Sequence, residues 1–139
     1  MGQVTVAAVI ESLEDLYRVQ RQDLTDMEVR RLSVPDALID TGATTLSLPR
    51  RMIEALGLLP IRSRRAVTPT GVKDIATYGA VKLMIDNRDC VCDVTEAADE
   101  CPVRIGQVPL DLMDFVVDPG QRRPIGNPAH GGEQIFELL

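Results

Sequence analysis

Alternating apolar and polar residues in the N-terminal part of the chain predict two β-strands. Apolar side chains recur at every second position of residues 4–10, which is the period of a half-buried strand. Residues 28–34 alternate in the same way, and we expect this strand to end at Pro35 because proline removes an amide donor from the ladder. The apolar positions of residues 11–26 fit both a helical stripe and a strand, so the pattern leaves that segment open.

A short apolar run then leads into a polar turn. Residues 37–39 are Ala-Leu-Ile, and Asp40-Thr41-Gly42-Ala43 follows directly. A buried strand in this place delivers a carboxylate onto a tight turn, where Gly42 supplies backbone freedom and permits close approach. Further on, Pro49 suits the start of a helix and Gly57 suits its end, so we predict a short helix over residues 49–56.

The second half of the chain is predicted to contain a long hairpin followed by shorter elements. Residues 66–85 have apolar-rich runs on either side of Thr68-Pro69-Thr70-Gly71, where Pro and Gly favour a turn. A strand is expected at residues 90–94 and an acidic loop at residues 96–100. Residues 103–117 predict a strand, a glycine turn, a short helix and a further strand.

The C-terminal residues are predicted to end the fold with a strand. Residues 127–132 are rich in Gly and Pro and indicate a loop. Residues 134–139 are largely apolar and predict a terminal strand. An unpaired apolar strand is an exposed edge, so we expect this one to pair, with a subunit interface as one option.

Length and composition fit a single domain over residues 1–139. The chain has 45% apolar but only 3% aromatic residues, so its core must be built mainly from aliphatic side chains. A net charge of −6 argues against a nucleic-acid partner, which requires a clustered positive surface. No uncharged stretch approaches the roughly 20 residues of a membrane span, and the N-terminus lacks the layout of a signal peptide. We therefore expect a cytoplasmic protein without a membrane partner.

Small arginine clusters interrupt this acidic composition. They lie at Arg50/Arg51, at Arg62/Arg64/Arg65 and at Arg122/Arg123. We interpret them as solvated positions on the rim of the fold. The alternative is that one of the clusters selects an anionic group of a substrate.

Three cysteines and the single histidine have the ligand types of a zinc site. Cys90, Cys92 and Cys101 cannot all pair within one chain, and reduced thiols agree with a cytoplasmic location. With His130 they match a Cys₃His set, but the Cys-x-x-Cys spacing is missing. We expect no metal and no other cofactor, and we interpret the cysteines as small apolar residues on or near a strand. A thiol-metal protein is the weakest alternative.

The motifs together resemble the retropepsin-like aspartic proteases, in particular their small bacterial single-domain members. The resemblance rests on residues 37–44, Ala-Leu-Ile-Asp-Thr-Gly-Ala-Thr, and on Val103-Arg104-Ile105-Gly106 with the helix that follows. The hairpin around Gly71 lies where the family has its flap. The resemblance therefore spans roughly residues 29–117.

This resemblance implies a mainly β fold, a closed acid-protease-type β-barrel with a flap hairpin and one or two short helices. In the family each chain gives one aspartate to an active site on the two-fold axis of a homodimer. The implied activity is endopeptidase hydrolysis of a peptide or protein substrate. Two carboxylates at hydrogen-bond distance cannot both ionise, so one activates a water and the other, protonated, donates to the scissile carbonyl.

The resemblance also assigns the site residues. The implied catalytic residues are Asp40, Thr41 and Gly42. The implied substrate-binding residues are Ala43, Thr70, Gly71, Val72, Ile105 and Gly106. Thr41 is expected to tie the two catalytic loops together, and Gly42 is expected to let the backbone approach the dyad.

Two departures from the family pattern leave a second interpretation open. Arg104 stands where the family has an apolar residue before Ile105-Gly106, and the hairpin tip at Thr70-Gly71-Val72 has one glycine where viral enzymes are glycine-rich. Asp-Thr-Gly in an arbitrary protein is usually only a capped turn. The alternative is therefore a non-catalytic dimeric peptide-binding or interaction module on the same fold.

Overall fold

A computed structural model describes residues 3–138 and confirms that the fold is mainly β. The strands of these residues are β1 (Thr5–Ser12), β2 (Arg31–Ile39), β3 (Leu46–Pro49), β4 (Leu59–Thr68), β5 (Gly71–Ile85), β6 (Arg88–Ala97), β7 (Arg104–Ile105), β8 (Phe115–Asp118) and β9 (Arg123–Gly126). The helices are α1 (Leu13–Gln20), α2 (Arg50–Ala55) and α3 (Gln107–Leu112), with 3-10 turns at Asp26–Glu28 and Pro128–His130.

Seven strands form one sheet, and six of them close into a ring. The order is β1-β2-β7-β3-β6-β5-β4, and a further antiparallel pairing between β1 and β5 joins the sheet into a ring of six strands. The pairs β2–β7 and β3–β6 are parallel, whereas β7 runs antiparallel to β3. Strand β4 lies outside the ring and pairs only with β5, and β8 and β9 form a separate two-stranded sheet.

The core inside the ring is aliphatic, as the composition requires. Its largest fully buried side chains include Ile10, Leu46, Leu48, Ile53, Leu83, Ile85, Ile105, Leu110 and Met113. The period-two alternation of β1 and β5 supplies Ile10, Leu83 and Ile85, and the other elements supply the rest. No helix of residues 3–138 is long and apolar enough to cross a membrane.

Strand β2 does not end at Pro35, so that prediction is wrong. Ala8 pairs with Val34 and Val6 pairs with Ala37, so two residues, Pro35 and Asp36, lie opposite Ala7 alone. This is the geometry of a β-bulge, in which the extra residue needs no ladder partner. Proline is tolerated there, and the strand continues to Ile39.

The open segment of residues 11–26 begins as the end of β1 and continues as helix α1. Ser12 caps this helix, because its Oγ accepts a hydrogen bond from the Asp15 amide at 3.2 Å. The amphipathic stripe of residues 13–20 therefore belongs to a helix.

The predicted helix over residues 49–56 is confirmed as α2, with Pro49 as its N-cap. Gly57 follows with a φ of 65°, in the left-handed region that favours glycine after a helix. The hairpin prediction is also confirmed, but its first strand begins at Leu59 and not at Ala66. Strand β6 extends to Ala97, so the acidic loop begins after it.

The prediction of a terminal strand at residues 134–139 is wrong for the described residues. Residues 134–138 form no regular element, and Leu139 lies outside the described part of the chain. Phe136 and Leu138 are 63% and 95% exposed. The predicted loop at residues 127–132 is present and contains the 3-10 turn Pro128–His130.

Side chains around Asp114 hold the beginning of the tail. The buried Arg88 guanidinium donates to the carbonyl oxygens of Met113 and Asp114, at 2.9 and 2.8 Å, and to that of Gly132. His130 contacts Asp114 through Nδ1 at 2.5 Å. Polar side chains therefore anchor the tail where the pattern predicted apolar strand pairing.

His130 links two carboxylates, one on each side of its ring. Its Nε2 lies 2.9 Å from Glu137 Oε1. Hydrogen bonding to Asp114, followed by that to Glu137, raises the pKa of His130. The His130 hydrogen bond, with smaller contributions from the Ile135 amide and Asn127, lowers the pKa of Asp114.

Helix α1 is fixed to the chain that follows it by a buried carboxylate. Asp15 is almost fully buried, and its two oxygens accept hydrogen bonds from Arg30 Nε and Nη2, both at 2.8 Å. The Arg30 amide donates to the same carboxylate at 2.9 Å. The side-chain hydrogen bond from Arg30 is the main reason that the pKa of Asp15 is lowered.

Replacing Asp15 by Ala should lower the free energy of unfolding by roughly 1–3 kcal/mol, less than for a fully buried pair because Arg30 is partly exposed. Urea denaturation monitored by circular dichroism measures this change. Glu14→Ala, one residue earlier on the same helix and exposed, is the matched control and should change stability by less than about 0.5 kcal/mol. Equal losses in both variants would contradict the role given to Asp15.

Replacing His130 by Gln should reduce stability more at pH 6 than at pH 9. The pKa of His130 is higher in the folded than in the unfolded chain. The stabilisation by protonated His130 is therefore complete below about pH 6.5 and is lost as the pH rises through the raised pKa. Urea midpoints of the wild type and of His130→Gln across this range measure the difference. His130 is the only histidine, so a difference between the two proteins that does not change with pH would contradict this assignment.

Candidate active site

Asp40 lies at the first position after β2, in a loop that connects β2 to β3. The Asp40 amide donates to the Ile105 carbonyl at 3.0 Å, which continues the β2–β7 pairing by one residue. The Gly42 amide donates to Asp40 Oδ1 at 3.0 Å, and the Ala43 amide donates to the Asp40 carbonyl at 3.1 Å. The Gly42 amide therefore orients the carboxylate within a tight turn, and Asp40 is half-buried.

The rest of this loop is joined to the start of α3 by main-chain hydrogen bonds. Amides of Gly106, Gln107 and Val108 donate to the carbonyl oxygens of Thr45, Ala43 and Thr44, at 2.9, 2.9 and 3.0 Å. These three bonds connect segments that are about sixty residues apart in the sequence. The predicted site residues of the two motifs are thus brought together through the backbone.

Gly106 is required by the closeness of this approach. A Cβ atom at this position would lie 2.5 Å from the Thr45 carbonyl oxygen and 2.6 Å from the Thr44 carbonyl carbon. Both contacts are with main-chain atoms, which cannot move aside as the end of a flexible side chain can. At Gly42 the corresponding contact is looser, 3.3 Å from Asp40 Oδ1.

The remaining residues of the two motifs differ in exposure. The Ile105 side chain is fully buried in the core, so this residue meets the Asp40 loop through its carbonyl oxygen. Thr41 is exposed, and within residues 3–138 its hydroxyl makes no hydrogen bond. Ala43 is half-buried and faces the cleft beside the loop.

The hairpin tip turns through Pro69 and Thr70 between the paired residues Thr68 and Gly71. Thr68 Oγ1 donates to the Gly71 carbonyl at 2.7 Å, and Gly71 has a φ of 120° that favours glycine. Val72 is 56% exposed. Among the described residues, Thr70, Gly71 and Val72 do not line the cleft beside the Asp40 loop.

That cleft has a volume of about 530 Å³ and lies between the Asp40 loop, the lower part of the hairpin, and the end of β6. Its lining residues are Ala43, Thr44, Thr45, Ser47, Arg64, Arg65, Ala66, Val67, Thr68, Ile75, Thr77, Thr95, Glu96, Ala97 and Arg104. A hydrogen bond of 2.8 Å between the hydroxyls of Thr45 and Thr95 ties the loop to β6.

Most of these cleft residues are absent from the sequence-based prediction of the site. Arg104 was recognised only as a departure from a pattern, and Arg64 and Arg65 only as members of a charge cluster. The threonines of β5 and β6 gave no signal, because alternating threonines are common on any half-buried strand.

The cysteines and His130 do not form a metal site in the part of the chain that the structure describes. No group of three His, Cys, Asp or Glu side chains in residues 3–138 is arranged to hold a metal ion. Cys90 and Cys92 lie on β6 with free thiols, and His130 contacts Asp114 and Glu137. Hydrogen bonding to Cys90, and then burial, raise the pKa of the Cys92 thiol.

Comparison with known families agrees with the geometry of the loop. The sequence model described as "Aspartyl protease" matches residues 27–107, more than half of the chain. The chain belongs to this aspartyl protease family. The matched part of the chain begins just before β2, contains the Asp40 loop and the hairpin, and ends at the first residue of α3. No curated protein matched the chain.

Replacing Gly106 by Ala should destabilise the protein by roughly 1–3 kcal/mol, because the new methyl group overlaps main-chain atoms of Thr44 and Thr45. Chemical denaturation measures the loss, and chemical shifts of the Asp40–Thr45 amides show where the structure moves. The control is Gly120→Ala, since a Cβ atom at Gly120 meets only the Asp118 carboxylate, at 3.3 Å. If Gly106→Ala were as stable as the wild type, the close approach would not constrain the loop.

Proposed function

We propose that two copies of the chain assemble into an endopeptidase whose catalytic dyad consists of Asp40 from each copy. The sequence contains a single Asp-Thr-Gly motif, so one chain supplies one carboxylate. Membership of the aspartyl protease family supports peptide-bond hydrolysis as the reaction. The observation that carries the proposal is the Asp40 turn, in which the Gly42 amide orients a half-buried carboxylate and the Ala43 amide closes the turn.

In the proposed mechanism the two Asp40 carboxylates share one proton, because two negative charges at hydrogen-bond distance repel each other. The ionised carboxylate takes a proton from a water molecule between them, and that water attacks the scissile carbonyl carbon. The protonated carboxyl donates to the carbonyl oxygen as charge develops on it. Transfer of a proton to the leaving nitrogen then breaks the C–N bond and yields a carboxylic acid and an amine.

The neighbouring residues have supporting roles in this proposal. Thr41 is exposed and its hydroxyl lacks a partner among residues 3–138, which leaves it available to the second copy. Gly42 donates its amide to Asp40 and so fixes the direction of the carboxylate. Thr70, Gly71 and Val72 at the exposed hairpin tip would close over a bound peptide, and Ala43 would contact it from the floor of the cleft.

A non-catalytic peptide-binding module is the alternative, and Arg104 favours it. The resemblance places an apolar residue at this position of the family, whereas the chain has an exposed arginine that lines the cleft. Such a module would keep the dimer and the cleft and would bind peptides without hydrolysing them.

Replacing Asp40 by Asn should lower cleavage of a diverse peptide library by about 10³-fold or more, because the amide cannot act as a general base. Mass spectrometry of the products across acidic and neutral pH measures cleavage, and analytical ultracentrifugation records the molar mass. Asp36→Asn is the matched control, since Asp36 is an exposed carboxylate on the same strand. A pepstatin-type inhibitor should block the wild type and the control.

The outcomes separate the two proposals. Cleavage by dimeric wild type and by Asp36→Asn, but not by Asp40→Asn, supports the protease. Unchanged cleavage by Asp40→Asn contradicts the mechanism. A folded dimer that binds peptides without cleaving them at any pH supports the binding module.

A further inference from the structure

The cleft beside the Asp40 loop, which is lined by Ala43–Thr45 and not by Asp40 itself, is rich in positive charge, although the chain as a whole carries a net charge of −6. Three arginines line it: Arg64 and Arg65 from β4, and Arg104 from β7. Glu96 is the only acidic residue among the described residues that line it. The residues that line the cleft therefore carry more positive than negative charge, opposite in sign to the chain as a whole.

Glu96 is already engaged by other groups of the same chain. Its Oε1 accepts a hydrogen bond from the Tyr78 hydroxyl at 2.9 Å and lies 3.5 Å from Arg50 Nε. In contrast, within residues 3–138 none of the three cleft arginines forms an ion pair. The cationic groups of the cleft are therefore available to a ligand.

Arg104 is the closest of these arginines to the catalytic loop in the register of the sheet. It pairs with Leu38, two residues before Asp40, and Ile105 pairs with Ile39. Since side chains alternate along a strand, Arg104 faces away from the core that contains Ile105 and into the cleft. Leu38 and Asp40 alternate with the inward-facing Ile39, so Arg104 lies on the same side of this strand pair as Asp40.

Arg64 reaches the cleft from the opposite wall. It lies on β4 directly across from Ile75, another residue that lines the cleft. Arg65 is paired across the strand with Asp74, an exposed carboxylate that offsets part of its charge. Arg64 and Arg104, in contrast, have no acidic residue as a cross-strand partner.

We infer that the cleft selects peptides with a glutamate or aspartate next to the scissile bond, and that Arg64 and Arg104 bind this carboxylate. The inference rests on the proposed endopeptidase function and names its substrate class. Guanidinium groups bind carboxylates through paired N–H donors, a geometry that a neutral side chain cannot match. Hydroxyls of Thr44, Thr77 and Thr95 provide further polar contacts along the same walls.

Two fluorescein-labelled decapeptide libraries test the inference directly. They are identical except that a central position is Glu in one and Gln in the other. Fluorescence anisotropy with the full-length Asp40→Asn protein measures binding without turnover, and wild-type cleavage of both libraries measures kcat/KM. We expect the Glu library to be favoured about fivefold for each arginine that binds the carboxylate, with the preference falling at high salt.

Arginine variants locate the effect. Arg64→Gln and Arg104→Gln should each reduce the Glu preference by about fivefold, in the Asp40→Asn background for binding and in the wild-type background for cleavage. Arg62→Gln is the matched control, because Arg62 is exposed on the same strand as Arg64 but does not line the cleft. An equal loss with Arg62→Gln would overturn the inference in favour of a diffuse charge effect.

The two measurements distinguish failure of the inference from failure of the proposed function. Equal cleavage of both libraries overturns the inference and leaves the protease in place. Selective binding of the Glu library without cleavage overturns the protease and supports the acidic ligand. Absence of both cleavage and selective binding overturns both.

Discussion

The close approach of Gly106 to the backbone of Thr44 and Thr45 fixes the geometry around Asp40. Three amides at the start of α3 donate to three consecutive carbonyls of the loop, and only a residue without a Cβ atom permits this spacing. Because main-chain groups make the connection, side chains 43–45 stay free to line the cleft. The two-residue strand β7 then completes the arrangement, since it pairs with β2 on one side and β3 on the other.

Local sequence signals were sufficient where local chemistry decides the structure. The Asp40 turn, the hairpin around Gly71 and helix α2 depend on turn and cap residues within a few positions, and all three were predicted. Long-range partners decided the remaining cases. Pro35 is accommodated by a bulge against β1, and helix α1 is fixed by an ion pair between Asp15 and Arg30, fifteen residues apart. The local sequence pattern does not show that Pro35 lies opposite β1, or that Asp15 pairs with Arg30.

The same distinction applies to the cleft. Arg64 and Arg104 are forty residues apart, and the Thr45–Thr95 hydrogen bond spans fifty. These four residues line one cleft because the sheet order is β7-β3-β6-β5-β4. Arg104 lies on β7, Thr95 on β6 and Arg64 on β4. The sequence identified both arginines as unusual, one in a cluster and one as a departure from a family pattern, but the sheet order is needed to place them on facing walls.

Helix α3 connects the Asp40 loop with the anchored tail. At its first turn the amides of Gln107 and Val108 are bonded to the loop, and its C-terminal end leads within two residues to Asp114, which His130 and Asn127 contact. A six-residue helix is only about 9 Å long and too short to bend appreciably. The tail, which lies outside the matched segment, is therefore connected to the Asp40 loop through Asp114, this short helix and the main-chain hydrogen bonds at its first turn.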